Sequence, residues 1–183
     1  AQKKRAAEIY DALLKCYPAA HCELDYTNPL QLLVATILSA QALDSSVNKV
    51  TPALFKDFRT AADYAKATPQ QIEPYISRIG LFRNKAKSIH GAMTMIEREF
   101  GGKVPDTMED LLRLPGVARK TANVVFGNAF NKNEGVVVDT HVMRVAHRLG
   151  LTKETEPKKI ERDLMALFPR ERSCMLRHLL IWY

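Results

Sequence analysis

Two residues that can carry chemistry stand close together in the chain. Lys120 lies two residues beyond a tight turn at 114–118 (LPGVA), and Asp139 follows nineteen residues later at the start of another helical pattern. A neutral amine is a nucleophile, and the helix dipole and the adjacent Arg119 both disfavour a positive charge on Lys120. A carboxylate at a helix start can cap the helix and also stabilise positive charge that develops on a ribose ring. A surface lysine and an ordinary N-cap would explain the same two residues. The chemistry they would allow is amine attack on a sugar C1′, assisted by a carboxylate that stabilises the charge or deprotonates the amine.

The turn itself predicts a phosphate-binding site. Pro115 fixes one backbone dihedral, and Gly116 can adopt conformations closed to other residues. A turn that leads into a helix presents backbone N–H groups to a phosphate oxygen, where the helix dipole adds positive potential. Arg119 and Thr121 could add a charge and a hydroxyl donor. An ordinary pair of helices joined by a short loop has the same pattern, so the turn alone leaves both interpretations open.

The elements that must position these residues are all predicted to be helical. Apolar residues recur at helical spacing, and Val136, Val137 and Val138 are too short a β-branched run to build a sheet. We expect Asn28 and Asp44 to be N-caps, Thr107 and Asp110 to form a capping box, and Pro52 to kink or end its helix. About ten helices result, over residues 1–17, 30–42, 44 onward, 60–66, 69–77, 84–100, 107–114, 119–130, 139–149, 157–168 and 170–183.

Composition points to an anionic partner. The net charge is +7, and 46% of the residues are apolar, which is enough for a proper interior. A basic balance of this kind favours nucleic acid. No apolar run reaches the roughly 18 residues that a membrane span needs, and no secretory signal precedes the first helix, so we expect no membrane partner and a cytoplasmic or nucleoid location. The three cysteines, Cys16, Cys22 and Cys174, are too few and too scattered for a disulfide framework.

Four segments, in order, closely resemble the endonuclease III family of helix-hairpin-helix DNA glycosylases with AP-lyase activity. They are residues 38–49 (LSAQALDSSVNK), 79–86 (IGLFRNKA), 114–125 (LPGVARKTANVV) and 138–144 (VDTHVMR). The resemblance covers nearly the whole chain. It implies two all-α lobes with DNA in the groove between them. One would be a six-helix domain over 23–133, and the other, the iron–sulfur lobe of the family, would combine 1–22 with 134–183.

The resemblance also implies a role for each matching residue. Lys120 matches the Schiff-base lysine, and Asp139 matches the catalytic aspartate. Gln41 matches the residue that fills the gap left by a flipped nucleotide, and Leu81 matches a wedge inserted into the base stack, which has a physical task because extrusion of a base costs a few kcal/mol. His141 matches a DNA contact beside the active site. Gly116, Ala118, Arg119 and Thr121 belong to the DNA-binding hairpin, and Ser39 and Asp44 match base-pocket positions.

Three features depart from the family pattern. Ala118 stands where a second glycine is usual, so a positive φ there would be strained. Leu43 stands where threonine is common, which would alter the pocket wall. The family's four closely spaced cysteines, which bind a [4Fe–4S] cluster, do not occur in this sequence. The cluster is therefore an expectation from the resemblance, and the sequence itself provides no metal ligands for it.

The expected function is that of a bifunctional DNA glycosylase and AP lyase of base excision repair. It would act as a monomer on double-stranded DNA, excise oxidised pyrimidines through a lysine Schiff base, and cut the strand by β-elimination. One alternative is a monofunctional adenine glycosylase, which generally lacks the lysine found at position 120. Another is a helix-hairpin-helix module that binds DNA without cutting it, for which a lysine and an aspartate at these positions have no use.

Overall fold

The chain folds into helices joined by short loops. The computed structural model describes residues 2–18, 20–130, 135–169 and 172–183, apart from the side chain of Cys174, and no strand occurs among them. The helices are α1 (Gln2–Cys16), α2 (Pro29–Ser39), α3 (Asp44–Asp57), α4 (Ala61–Lys66), α5 (Pro69–Ile76), α6 (Phe82–Phe100), α7 (Met108–Arg113), α8 (Arg119–Phe130), α9 (Thr140–Arg148), α10 (Pro157–Leu167) and α11 (Ser173–Trp182). The all-α prediction is confirmed, with eleven helices in the described residues.

The chain divides into two compact units. The central unit is Glu23–Val125, and the terminal unit combines Ala1–Cys22 with Phe126–Tyr183. The sequence-based boundary after residue 133 falls in the segment 131–134, which lies outside the described residues.

The central unit is built around α6. This helix packs against α2, α4 and α5, and α3 packs against α2 and α5. One face of α6 is fully buried, with Ile89, Met93 and Ile96 at helical spacing, so the apolar periodicity of the sequence corresponds to the core-facing side. Gly101 ends α6 in the left-handed conformation, as the Gly101-Gly102 pair predicts.

The terminal unit has its own apolar core. Helix α11 packs against α1 and α9, and α10 packs against α1. Tyr10, Val145, Ile160 and Leu179 are among the buried residues that these helices share. The first turn of α9 is therefore held in place by the packing of this core.

Helix caps agree with the sequence in most places. The Asn28 side chain accepts the Gln31 N–H with Pro29 at the first helical position, as predicted. The Thr107 hydroxyl caps α7 by accepting the Asp110 N–H and donates to the Asp110 carboxylate at 2.8 Å. The carboxylate contact is to the hydroxyl and not to the Thr107 N–H, so only the Thr107 half of the predicted capping box is formed.

The expected N-cap of α3 was wrong, and so was an end of the helix at Pro52, whereas a kink at Pro52 stays a prediction. The N-cap is Leu43 and not Asp44, because the Leu43 carbonyl accepts the first helical N–H groups from Ser46 and Val47. Pro52 does not end the helix, which continues to Asp57. Proline removes one backbone donor from the helix. The buried side chains of Val47 and Leu54, on either side of Pro52, pack in the core and keep the helix continuous.

Candidate active site

The hairpin turn between α7 and α8 has the geometry of a tight backbone loop. The Val117 N–H donates to the Leu114 carbonyl at 3.1 Å, and Gly116 has φ +75°. Leu114 and Val117 are buried, whereas Pro115 and Gly116 are exposed. The apolar members anchor the turn, and its exposed peptide groups are available to a ligand.

The turn rests directly on α6. A Cβ atom added to Gly116 would lie 2.5 Å from the Cβ of Ser88, and a Cβ atom added to Gly91 would lie 3.2 Å from the ring of Pro115. Glycine is therefore required at Gly116 both by its positive φ and by the close approach of Ser88.

Ala118 does not carry the strain that its departure from the family pattern predicted. Among the non-glycine residues of the described chain, positive φ occurs at Gln41 and Leu81 and not at Ala118. The Ala118 carbonyl accepts the Ala122 N–H at 2.9 Å and so begins the hydrogen bonding of α8. Alanine fits this position, and its N–H group is retained.

Helix α8 positions the predicted nucleophile. Arg119 and Lys120 occupy its first two positions and are exposed, where backbone N–H groups lack helical partners. Thr121 is only 8% exposed, so a phosphate contact through its hydroxyl stays a prediction.

Gln41 and Leu81 share an unusual backbone conformation. Gln41 has φ 57° and Leu81 has φ 59°, both in the left-handed region that costs a non-glycine residue about 1–2 kcal/mol. Leu81 is 60% exposed, and Gln41 is exposed as well. Strained backbone in well-packed surroundings is a frequent property of functional residues. The two positions that the family resemblance assigns to base flipping thus differ from the other described non-glycine residues in their positive φ.

The predicted base-pocket residues lie next to Gln41. Ser39 ends α2, and its hydroxyl donates to the Thr36 carbonyl at 2.9 Å, which leaves its oxygen as an acceptor. Asp44 begins α3 and is half-buried. Leu43 between them is 74% exposed, so it forms an apolar surface at this loop.

In the terminal unit, Asp139 caps α9 as predicted. One carboxylate oxygen, Oδ1, accepts the Val142 N–H at 2.9 Å. The other, Oδ2, lies 3.8 Å from Nη2 of Arg177 on α11, and both side chains are mostly buried. The cap uses one oxygen and fixes the carboxylate, and the second oxygen faces the guanidinium of Arg177.

His141 is held by two hydrogen bonds within the protein. Its Nε2 donates to the Leu180 carbonyl at 3.0 Å, since a carbonyl can only accept. Its Nδ1 accepts from Arg144 at 3.1 Å, since a guanidinium can only donate. Both partners fit one neutral tautomer, and they occupy both ring nitrogens.

The sequence patterns did not predict a role for two residues near these sites. Lys85 is buried on α6, and its Nζ donates to the Leu38 carbonyl. Its spacing from Ile89 places it on the apolar face of α6, and that pattern could have identified it. Arg177 lies in no motif, and the sequence contains no signal for its contact with Asp139.

The described residues do not fit an iron–sulfur cluster. No group of three or more His, Cys, Asp or Glu side chains able to hold a metal occurs among them. Of the two cysteines described with their side chains, Cys16 is exposed and Cys22 is half-buried. Within the described residues, no helix combines the length and apolarity needed to cross a membrane.

The fold and these motifs define a class of protein. The family model of the HhH-GPD superfamily base excision DNA repair protein matches residues 34–170. Endonuclease III of Synechocystis sp. is 59% identical over 169 residues, which cover 92% of this chain and 77% of the relative. Endonuclease III of Bacillus subtilis is 41% identical over 174 residues, covering 94% and 79% of the two chains. The chain belongs to the endonuclease III family.

A solved structure supports the same assignment. A trapped endonuclease III–DNA covalent intermediate superimposes with a TM-score of 0.92 at 41% identity. The match covers 98% of this chain and 84% of that chain.

Proposed function

We propose that this protein is a bifunctional DNA glycosylase and AP lyase that acts as a monomer on damaged double-stranded DNA in the nucleoid. The observation that carries the proposal is an exposed lysine, Lys120, on the first turn of α8, directly beyond the hairpin. The similar endonuclease III was trapped as a covalent intermediate with DNA, which is the behaviour expected of an amine nucleophile.

The reaction begins with recognition of the backbone. The backbone N–H groups of Gly116 and of the start of α8 bind a phosphate of the damaged strand without reading base sequence. The nucleotide is flipped out, Leu81 enters the stack, and Gln41 fills the vacated space. Ser39 and Asp44 line the pocket that receives an oxidised pyrimidine.

The chemistry is then shared between two residues. The neutral amine of Lys120 forms a bond to C1′ while the bond from C1′ to the base breaks, and the base departs with the bonding electrons. Asp139 stabilises the positive charge that develops on the sugar. The amine nitrogen loses a proton, the C1′–O4′ bond breaks with protonation of O4′, and the nitrogen forms the C=N bond of the Schiff base. Loss of a proton from C2′ then cleaves the C3′–O bond, and the 3′ phosphate departs with the bonding electrons. Water then releases the lysine.

Borohydride trapping on duplex DNA with one abasic site tests this mechanism. We expect a covalent adduct with the unmodified protein and none with Lys120→Ala, because reduction captures only the Schiff base. Lys103→Ala, an exposed lysine in the loop after α6, is the matched control and should trap normally. An adduct that survives Lys120→Ala contradicts the assignment of the nucleophile. Absence of any adduct with the unmodified protein would favour a monofunctional glycosylase or a DNA-binding module.

Release of the base tests the substrate class. Duplexes with an oxidised pyrimidine or with adenine opposite a damaged purine are incubated with the protein, and free base is measured by chromatography. Release of the pyrimidine alone supports the proposal, and release of adenine alone supports the adenine glycosylase alternative.

A further inference from the structure

Lys85 is a buried amine with a specific partner. The residue is 6% exposed, and its Nζ donates to the Leu38 carbonyl at 2.8 Å. Among the described residues, no carboxylate forms an ion pair with it. Burial lowers the pKa of Lys85. A buried lysine is costly, so its single polar contact indicates a role that an apolar residue could not fill.

The contact completes the end of α2. Three of the last four carbonyls of α2 have partners from their own segment: Thr36 from the Ser39 hydroxyl, Ile37 from the Ala40 N–H, and Ser39 from the Ala42 N–H. The fourth, Leu38, receives its donor from α6. Lys85 therefore satisfies a helix-terminal acceptor that the local chain leaves unpaired.

The same residue also holds the start of α6. The Lys85 backbone N–H donates to the Leu81 carbonyl at 3.0 Å, which is the first helical hydrogen bond beyond the left-handed residue. Its side chain reaches Leu38, three residues before Gln41. Lys85 thus joins the two segments that carry Gln41 and Leu81, the two non-glycine residues with positive φ in the described chain.

We propose that Lys85 is a positioning residue for base flipping, which fixes the spacing between Gln41 and Leu81 so that both enter the DNA stack together. This inference rests on the function proposed above. Lys85 is not the nucleophile, because its amine is enclosed and already bonded to Leu38, whereas the amine of Lys120 is exposed.

A positioning role for Lys85 predicts different effects on duplex and on single-stranded DNA. An abasic site in duplex DNA must be opened and the gap filled, whereas a single strand has no opposing base and no stack to maintain. Loss of Lys85 should therefore impair reaction on duplex DNA more than on the same strand alone. General loss of folding would lower both rates equally.

The experiment measures single-turnover borohydride trapping by the 183-residue chain on an abasic duplex and on the abasic strand alone. For Lys85→Met, we expect the ratio of the duplex rate to the single-strand rate to fall about tenfold, in line with the cost of misplacing groups remote from the reacting atoms. Lys85→Arg retains a charged donor and should restore most of the ratio. Lys87→Met removes an exposed lysine of the same helix and should leave the ratio unchanged.

An unchanged ratio for Lys85→Met would overturn the inference, as would the same decrease for Lys87→Met. If Lys85→Met does not fold, Lys85→Gln is judged by the same ratio, since it keeps a donor but shortens its reach. In a Gln41→Ala/Leu81→Ala background, Lys85→Met should produce no further change, and an additional fall would also contradict the inference. Absence of adduct on both substrates with the unmodified protein overturns the proposed function, and the inference with it.

Discussion

Gly116 approaches Ser88 so closely that a methyl group on the glycine would lie 2.5 Å from the Cβ of the serine. This contact joins the exposed turn to α6. Because Gly116 also has φ +75°, any side chain there meets both a steric clash and an unfavourable backbone conformation. The position of the turn relative to α6 thus depends on one glycine.

Gly116→Ala should destabilise the turn by about 1–3 kcal/mol, the cost of a strained backbone position. We expect weaker binding to abasic duplex DNA and a shallower salt dependence, because loss of one phosphate contact reduces the slope of log K against log salt by about 1. Fluorescence anisotropy titrations at several salt concentrations measure both quantities. If the slope of log K against log salt equals that of the unmodified protein, the turn does not bind a phosphate. Ser88→Gly in the same variant should recover part of the stability, since it relieves the clash but not the backbone strain.

Ala118→Gly is expected to bring no gain, although glycine is usual there in the family. Ala118 has no positive φ to relieve, and glycine loses more conformational entropy on folding, so the variant should be less stable by roughly 0.5–1 kcal/mol. Chemical denaturation gives the stability, and anisotropy should give an unchanged affinity for abasic duplex DNA. An increase in stability would show that alanine strains this turn.

The two tasks of Asp139 can be separated by substitution. Asp139→Asn keeps an oxygen to accept the Val142 N–H but loses the charge that faces the mostly buried Arg177, so it should lower stability. Asp139→Ala loses the cap as well and should cost about 1 kcal/mol more. Both variants should lower the single-turnover rate of base release by about 100-fold or more, in the range of a lost catalytic group. If the two variants have equal free energies of unfolding, the capping hydrogen bond does not contribute to stability. Normal base release by Asp139→Asn would exclude a catalytic role for the charge.

We expect the protein to lose stability in acid because His178 is buried. Burial, with smaller effects from Arg177 and His21, lowers the pKa of His178 to about 4 from an ordinary value of 6.5. The folded state therefore binds fewer protons than the unfolded state between these values. The stability from neutral His178 is complete above pH 6.5 and is lost as the pH falls toward 4, by about 2 kcal/mol at pH 5.

His178→Gln keeps a donor for Asn128 Oδ1, which His178 Nε2 contacts at 3.2 Å, and removes the titration. Urea unfolding at pH 7 and pH 5 should give a smaller decrease for this variant than for the unmodified protein. Parallel decreases would contradict the assignment.

The sequence predicts the elements of this fold better than their junctions. The bounds of α8 and the caps at Asn28 and Asp139 agree with the structure because helix periodicity and cap preferences are local properties. The left-handed backbone of Gln41 and Leu81 could not be predicted, since neither residue type favours that region and tertiary packing imposes it.

Contacts between distant residues were also beyond local patterns. Lys85 meets the Leu38 carbonyl across 47 positions of the chain, and Arg177 meets Asp139 across α11 and α9. Charged residues are expected on the surface, so composition argued against burial of either side chain. Their positions follow from how whole helices pack, which the sequence does not display directly.

The contacts along α6 limit where this chain can gain or lose a residue. Residues 81, 85, 88 and 91 recur every three or four positions along α6 and its N-cap, so the proposed wedge Leu81, the proposed positioning residue Lys85 and the two residues that contact the hairpin turn lie along one stripe of the helix surface. A one-residue insertion between Lys85 and Ser88 would turn the hairpin support by about 100° relative to the wedge. An insertion in a loop leaves these spacings intact, whereas an insertion or deletion between Leu81 and Gly91 changes the relative direction of the residues that hold the turn and the end of α2.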